Sequence, residues 1–445
     1  MNVAVIGAGP TGLSLAYELT RKGISVDVYE RDAIPGGLAK SITLWNEEVE
    51  VGPHYLTENL DSGVKDLLQN VIADDQLHRY ERKTRIYIDG KFFIYPPGAV
   101  NLMKNLGLWK TIQAGLSYTA QIVSPAKDNG SVESFITRNL GSYLYKNFFK
   151  EYSEKLWGTP CNTLDESYGK IMIGFGNLSR LQTLKKYFVK KDIQEFSKNL
   201  YPRGGMNVLW NSLTNKVREQ GGTVHFSAAI KQVVVEGKKV KGLEFSDGTT
   251  KPYDYVISTI PEGIMLRMMP GVPKKIFDDL ATIKTRCVIC VFLLVEHCDL
   301  IDSNSVFIYT SKVVAARITN YNAFRNEEGN DILSIEYWTS DTDELWLAPP
   351  EKIMDAINLD LKQFKGHEKV KIKETKIIKL KNAYQVPFPD LKFIKAEAAN
   401  YLKEFDGLLI TGRANQTNFN YGMGDALAEG VNKAREIMAK DGITA

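Results

Sequence analysis

The hydrophobic pattern changes period twice in the first thirty residues. Residues 2–6 (NVAVI), apolar from Val3 to Ile6, read as a short buried strand. From Pro10 to about Lys22 the apolar positions recur every three or four residues, which predicts a helix. Residues Ile24–Tyr29 then return to a strand, so the chain opens with a βαβ unit. Residues 85–97 alternate around Asp89-Gly90, a hairpin signal. Residues 99–156 carry helical spacing, split in two by Asp128-Asn129-Gly130.

Residues 201–260 predict a helix after Gly204-Gly205 and then short strands, with turns at Glu236-Gly237-Lys238 and Asp247-Gly248. Residues 285–340 and 370–385 read as strands, with a helix near 350–365. From about 405 the order is strand, glycine-rich turn, helix. The expected class is α/β: a Rossmann-like, glutathione-reductase-like nucleotide domain with an inserted α+β substrate domain. Residues 1–80, 201–265 and 386–445 are assigned to the first. Residues 81–200 form a helical insert and 266–385 a sheet-rich region.

Bulk properties narrow this little. The 445 residues suit two or three domains, and 44% hydrophobic with 24% charged residues is ordinary for a globular chain. A net charge of +3 is too small to argue for nucleic acid or an anionic membrane. A strand starting at residue 2 leaves no space for a leader. The longest apolar run, Val288–Val295, is too short to cross a bilayer. Of the four cysteines, Cys287 and Cys290 share one strand and face opposite ways, and Cys161 and Cys298 lie apart. They read as packed thiols, and the histidines lack metal-ligand spacing. The expectation is a cytoplasmic protein with no metal, no nucleic-acid partner and no transmembrane segment.

The candidate chemistry sits at the two ends. Gly7-x-Gly9-x-x-Gly12 follows an apolar strand and opens a helix, the context in which these glycines admit a pyrophosphate to the helix N-terminus. Glu30 ends the second strand, where an acid accepts hydrogen bonds from a ribose. Gly36-Gly37-Leu38 permits a second close backbone approach. Near the other end, Gly412-Arg413 forms a turn and Gly424-Asp425 starts a helix whose N-terminus suits the N1–C2=O edge of a flavin. Asp425 either caps that helix or bonds a ribityl hydroxyl. Two such ends point to FAD, with Arg31 and Ile230 added to the cofactor-binding set.

The chain resembles the flavoprotein superfamily of amine oxidases, protoporphyrinogen oxidases and UDP-galactopyranose mutases over nearly its whole length. Glu30-Arg31 through Gly36-Gly37-Leu38-Ala39 is common to that superfamily. Three further phrases lean toward the mutase branch: Gly52-Pro53-His54, residues 145–158 (YKNFFKEYSEKLWG), and Gly412-Arg413 with Tyr421 and Asp425. Arg317 stands where mutases carry a diphosphate arginine. Thr57 replaces a second mutase histidine, Arg180 is the nearest match to a mobile-loop arginine, and the spacing within 413–425 departs from the mutase tail.

The resemblance implies pyranose–furanose interconversion of a nucleotide sugar in glycan biosynthesis, with N5 of reduced FAD as nucleophile. His54, Arg317, Arg413 and Tyr421 then take catalytic positions, and Tyr152, Trp157 and Arg180 join Arg317 and Tyr421 around the substrate. An external reductant such as NAD(P)H would prime the flavin. The alternative is an FAD-dependent oxidoreductase, although no lysine is placed beside flavin N5. A third reading is a flavin-binding protein without turnover.

Overall fold

In the computed structural model, residues 1–95, 99–173, 198–296, 300–325, 331–417 and 421–443 are described. Two compact units emerge. One comprises Met1–Arg79, Asn199–Thr282 and Asp390–Ala445, and the other Tyr80–Lys198 and Ile283–Pro389.

The first unit is built on a parallel sheet. Its strands run in the order Thr223–His225, Ser25–Tyr29, Asn2–Ile6, Tyr255–Ser258, Leu408–Ile410. The chain leaves the central strand Asn2–Ile6 first to one side and later to the other. The carboxyl ends of Asn2–Ile6 and Tyr255–Ser258 therefore flank the crevice where ligands bind such sheets. Alternation splits the central strand: Ala4 and Ile6 join a core with Val233, Leu243, Met265, Ile276 and Ala398. Val3 and Val5 are equally buried on the opposite side of the sheet. The helix Lys274–Ala281, expected with the sheet-rich region, belongs here because Ile276 completes that core.

The two chain ends meet in this unit. Helix Met423–Lys440 packs along helix Pro10–Thr20, and a Cβ on Gly430 would lie 2.0 Å from Ser14 Oγ. Ser14 Oγ donates to the Leu427 carbonyl at 3.1 Å.

The second unit centres on a seven-stranded sheet. Its order is Ile372–Gln385, Thr285–Val295, Asp331–Thr339, Arg317–Asn320, Ser305–Ile308, Thr84–Ile88, Lys91–Ile94. The apolar run predicted as a strand lies in the interior of this sheet, buried at every position from Arg286 to Val295. Cys287 and Cys290 are buried free thiols, whereas Cys298 lies outside the described residues. One face of the sheet, with Ile289, Val291, Leu293, Ile335 and Tyr337, packs against Ile353, Ile357 and Leu361 of helix Pro350–Leu361. The predicted hairpin turns at Asp89 and Gly90, both at positive φ, as a tight primed turn requires.

Among the described residues, no helix is long and apolar enough to cross a membrane, and no group of three metal-ligating side chains occurs.

Candidate cofactor cradle and substrate face

The cradle begins where the strand Asn2–Ile6 ends. Gly7 has φ +105°, and a Cβ there would strike Thr259 Oγ1 at 2.4 Å. A Cβ on Gly12 would lie 2.0 Å from the Gly7 carbonyl oxygen, so this glycine lets helix and turn touch. Gly9 differs: a Cβ there meets nothing within 4 Å. Gly9 is also the helix N-cap and carries no side-chain cap, so no side chain satisfies the positive dipole end of this helix. This fits a pyrophosphate.

Glu30 is buried and accepts hydrogen bonds from the backbone N–H groups of Ala8 and Asp32, both at 2.8 Å. Those two bonds leave acceptor capacity on both oxygens for ribose hydroxyls. Gly36 and Gly37 sit at φ +108° and +57°. A Cβ on Gly36 would meet Trp210 at 2.6 Å, and Trp210 is fully buried with its indole N–H on the Ala39 carbonyl. The second glycine turn thus rests on a tryptophan from a distant segment, which no local signal announces. Arg31, placed with the cofactor residues by sequence, turns to solvent with 85% of its side chain exposed. Leu38 is also exposed, and Ile230 is half-buried in its strand.

The tail segment closes the same end of the sheet. A Cβ on Gly412 (φ +93°) would approach the Thr259 carbonyl oxygen to 3.2 Å, so Gly7, Thr259 and Gly412 converge. Asp425 takes the capping role: its carboxylate accepts from the Gly422 N–H at 2.7 Å. The organiser of the segment is a residue the sequence reading passed over. Glu429 accepts from the Gly412 N–H at 2.9 Å, from Gln416 Nε2 at 3.0 Å, and from the hydroxyls of Thr411 and Tyr421. Tyr421 is therefore held inside this hub, and burial together with the Glu429 charge pushes its phenol pKa up. Glu429 lies four residues after Asp425 on one helix, a spacing that puts both on one face and was readable in advance. Lys395, buried beside Glu262 at 3.1 Å, donates to the Ala414 and Gln416 carbonyls and pins the turn from below. His54 Nδ1 lies 2.8 Å from the Gly52 carbonyl, bracing its own turn, and Arg413 is exposed.

In the second unit, the sheet face opposite the apolar core carries the other candidates. Phe307, Arg317, Glu336 and Cys290 stand side by side across four adjacent strands. Arg317 is bound to Glu336 in a fork, with Nε–Oε1 2.9 Å and a second bond of 2.7 Å. Burial works against the guanidinium, but the Glu336 charge outweighs it and pushes the Arg317 pKa up. The pair carries no net charge. The next row holds Ser305, Thr319, Ser334 and Phe292, and the hydroxyls of Thr319 and Ser334 are buried without a partner among the described residues.

The phrase that includes Tyr152 and Trp157 packs within the second unit. Tyr152 stacks on Tyr309 with centroids 4.0 Å apart, and Trp157 sits edge-on to Tyr168 and Trp338. Lys155 between them donates to the carbonyls of Ile308, Thr310, Val313 and Ala315, and burial pulls its pKa down to about 8. A Cβ on Gly158 would lie 2.3 Å from the Arg286 guanidinium, which donates to the Leu156 and Trp338 carbonyls. Arg180 lies outside the described residues.

Comparison with known proteins agrees with this architecture. The family described as flavin containing amine oxidoreductase matches residues 10–438. The coproporphyrinogen III oxidase of Staphylococcus aureus is 23% identical over 335 residues, covering 67% of this chain and 68% of that protein. The 1-hydroxycarotenoid 3,4-desaturase of a Flavobacterium species is 25% identical over 268 residues, 55% of this chain and 54% of its own length. The crystal structure of a reduced UDP-galactopyranose mutase superposes with a TM-score of 0.81 at 18% identity, covering 99% of this chain and 96% of that one. The last likeness establishes the shared fold.

Proposed function

This chain belongs to the flavin containing amine oxidoreductase family and uses FAD, and from that premise we propose that it oxidises an uncharged unsaturated or amine group of an organic substrate. Bound FAD supplies a two-electron acceptor, and dioxygen or another external acceptor completes turnover. Gly9 and the uncapped amides behind it hold the pyrophosphate, and Glu30 holds the ribose. Glu429 keeps the Gly412 turn in place at the far end.

The carrying observation is the Arg317–Glu336 pair. A diphosphate needs cations free to meet its oxygens. Here Arg317 is matched by a buried carboxylate, and the Arg286 and Lys155 side chains donate to backbone carbonyls. The row from Phe307 through Arg317 to Glu336 is thus aromatic and charge-matched, which suits an uncharged group better than a nucleotide. The names of the curated relatives, an oxidase and a desaturase, both denote oxidations.

A second reading, sugar-nucleotide mutase, draws on Gly52-Pro53-His54 and the Tyr152–Gly158 phrase. It requires Arg317 to leave Glu336 for a diphosphate and an external reductant such as NAD(P)H. The deciding experiment is anaerobic mixing of oxidised holoprotein with coproporphyrinogen III, carotenoid precursors and a panel of amines. Loss of the yellow absorbance, with recovery on admitting air, is the expected result. No bleaching by any of them, together with conversion of UDP-galactopyranose to the furanose by dithionite-reduced protein, overturns the proposal in favour of the mutase.

A further inference from the structure

The net charge of +3 conceals a local imbalance. From Lys91 to Lys127 the sequence holds four lysines and no arginine, aspartate or glutamate. All four lysines are exposed. Most of this stretch is helix, Ala99–Leu106 followed by Leu108–Val123.

The longer helix is inverted relative to an ordinary surface helix. Its polar side turns inward: Ser117 Oγ accepts from the Tyr143 N–H at 2.9 Å and meets Ser142 Oγ at 3.1 Å. Its apolar side turns outward. Leu108, Trp109, Leu116 and Val123 are 79%, 70%, 66% and 87% exposed, and Ile112 is exposed with them. At 100° per residue these five side chains fall within one arc of about 100°, and Ile122, 56% exposed, widens it to about 140°. None of the sixteen residues of this helix is buried. A stripe of this size on a water-facing helix marks a contact surface.

We propose that helix Leu108–Val123 lies in the surface of an anionic lipid bilayer, with the Leu108–Trp109–Ile112–Leu116–Val123 stripe in the acyl boundary and the exposed lysines of residues 91–127 attracting it to anionic headgroups. Charge selects this occupant. An amphipathic helix with a tryptophan and leucines on one side, in a stretch that holds four lysines and no acid of its own, is built for an anionic interface. A second copy of this chain is disfavoured by the same feature. A twofold contact sets each patch against itself, which would bring two copies of this lysine-bearing stretch together.

The test is co-sedimentation of the flavin-loaded protein with vesicles of phosphatidylglycerol and phosphatidylcholine, and with phosphatidylcholine alone. Binding is expected to the anionic vesicles, to weaken when salt is raised, and to fall about tenfold or more in Trp109→Ser/Leu116→Ser. Both positions are exposed, so flavin content and melting temperature of the variant should match the parent and exclude misfolding as the cause. The proposal fails if the parent stays in the supernatant with anionic vesicles, or if the variant binds as well as the parent. It also fails if light scattering shows a dimer that the variant abolishes while neither protein binds lipid.

Discussion

Replacing Arg317 with methionine would strand Glu336, whose side chain is 2% exposed, beside an apolar group. The carboxylate would lose both forked bonds, of 2.9 and 2.7 Å, and the charge that compensates its burial. Breaking such a pair costs about 3–5 kcal/mol, most of it the penalty of the orphaned charge. For a unit of this size that corresponds to a fall of about 6–20 °C in the melting midpoint. Removing both charges in Arg317→Met/Glu336→Leu should restore most of the loss, because a volume-conserving apolar pair has no charge to desolvate. Circular dichroism melts of parent, both single variants and the double variant form a closed cycle that isolates the coupling. Single variants melting within about 1 kcal/mol of the parent would refute the buried-pair account. The double variant also separates the functional readings. A neutral substrate should still bleach the flavin, whereas a diphosphate substrate would lose its cation.

Four other outcomes are expected. Gly9→Ala should leave the apoprotein melt unchanged yet weaken FAD binding about tenfold or more, since its Cβ enters open space. Gly12→Ala should lower both, with its Cβ 2.0 Å from the Gly7 carbonyl, and a flavin titration beside a melt distinguishes the two. Glu429→Ala should release flavin during dialysis, because the Gly412 N–H and the hydroxyls of Thr411 and Tyr421 lose their common acceptor; full flavin retention would refute the hub. Burial raises the Glu50 carboxyl from 4.5 to about 7, against the opposing bonds from Met206, Ser41 and Tyr201. The folded state therefore holds a proton that the unfolded chain has released, so this contribution is full below pH 4.5 and is lost as pH rises through 7. Melts from pH 4.5 to 8 should show roughly 3 kcal/mol of decline that Glu50→Gln abolishes.

Periodicity and glycine placement by themselves determined the opening βαβ unit, the hairpin at Asp89-Gly90, the buried strand through Val288–Val295 and the identity of the cofactor. Each rests on neighbours in the chain, where an apolar repeat or a required positive φ leaves a local mark. Tertiary structure decided which charges remain available. Arg317 and Glu336 are nineteen residues apart and meet only because two strands pair in one register. Trp210 reaches Ala39 across 171 residues, and Lys155 wraps a loop about 155 residues away. A lone arginine in a sequence reads as a phosphate ligand, because its partner is chosen by sheet register and burial, and those exist only once the chain has folded.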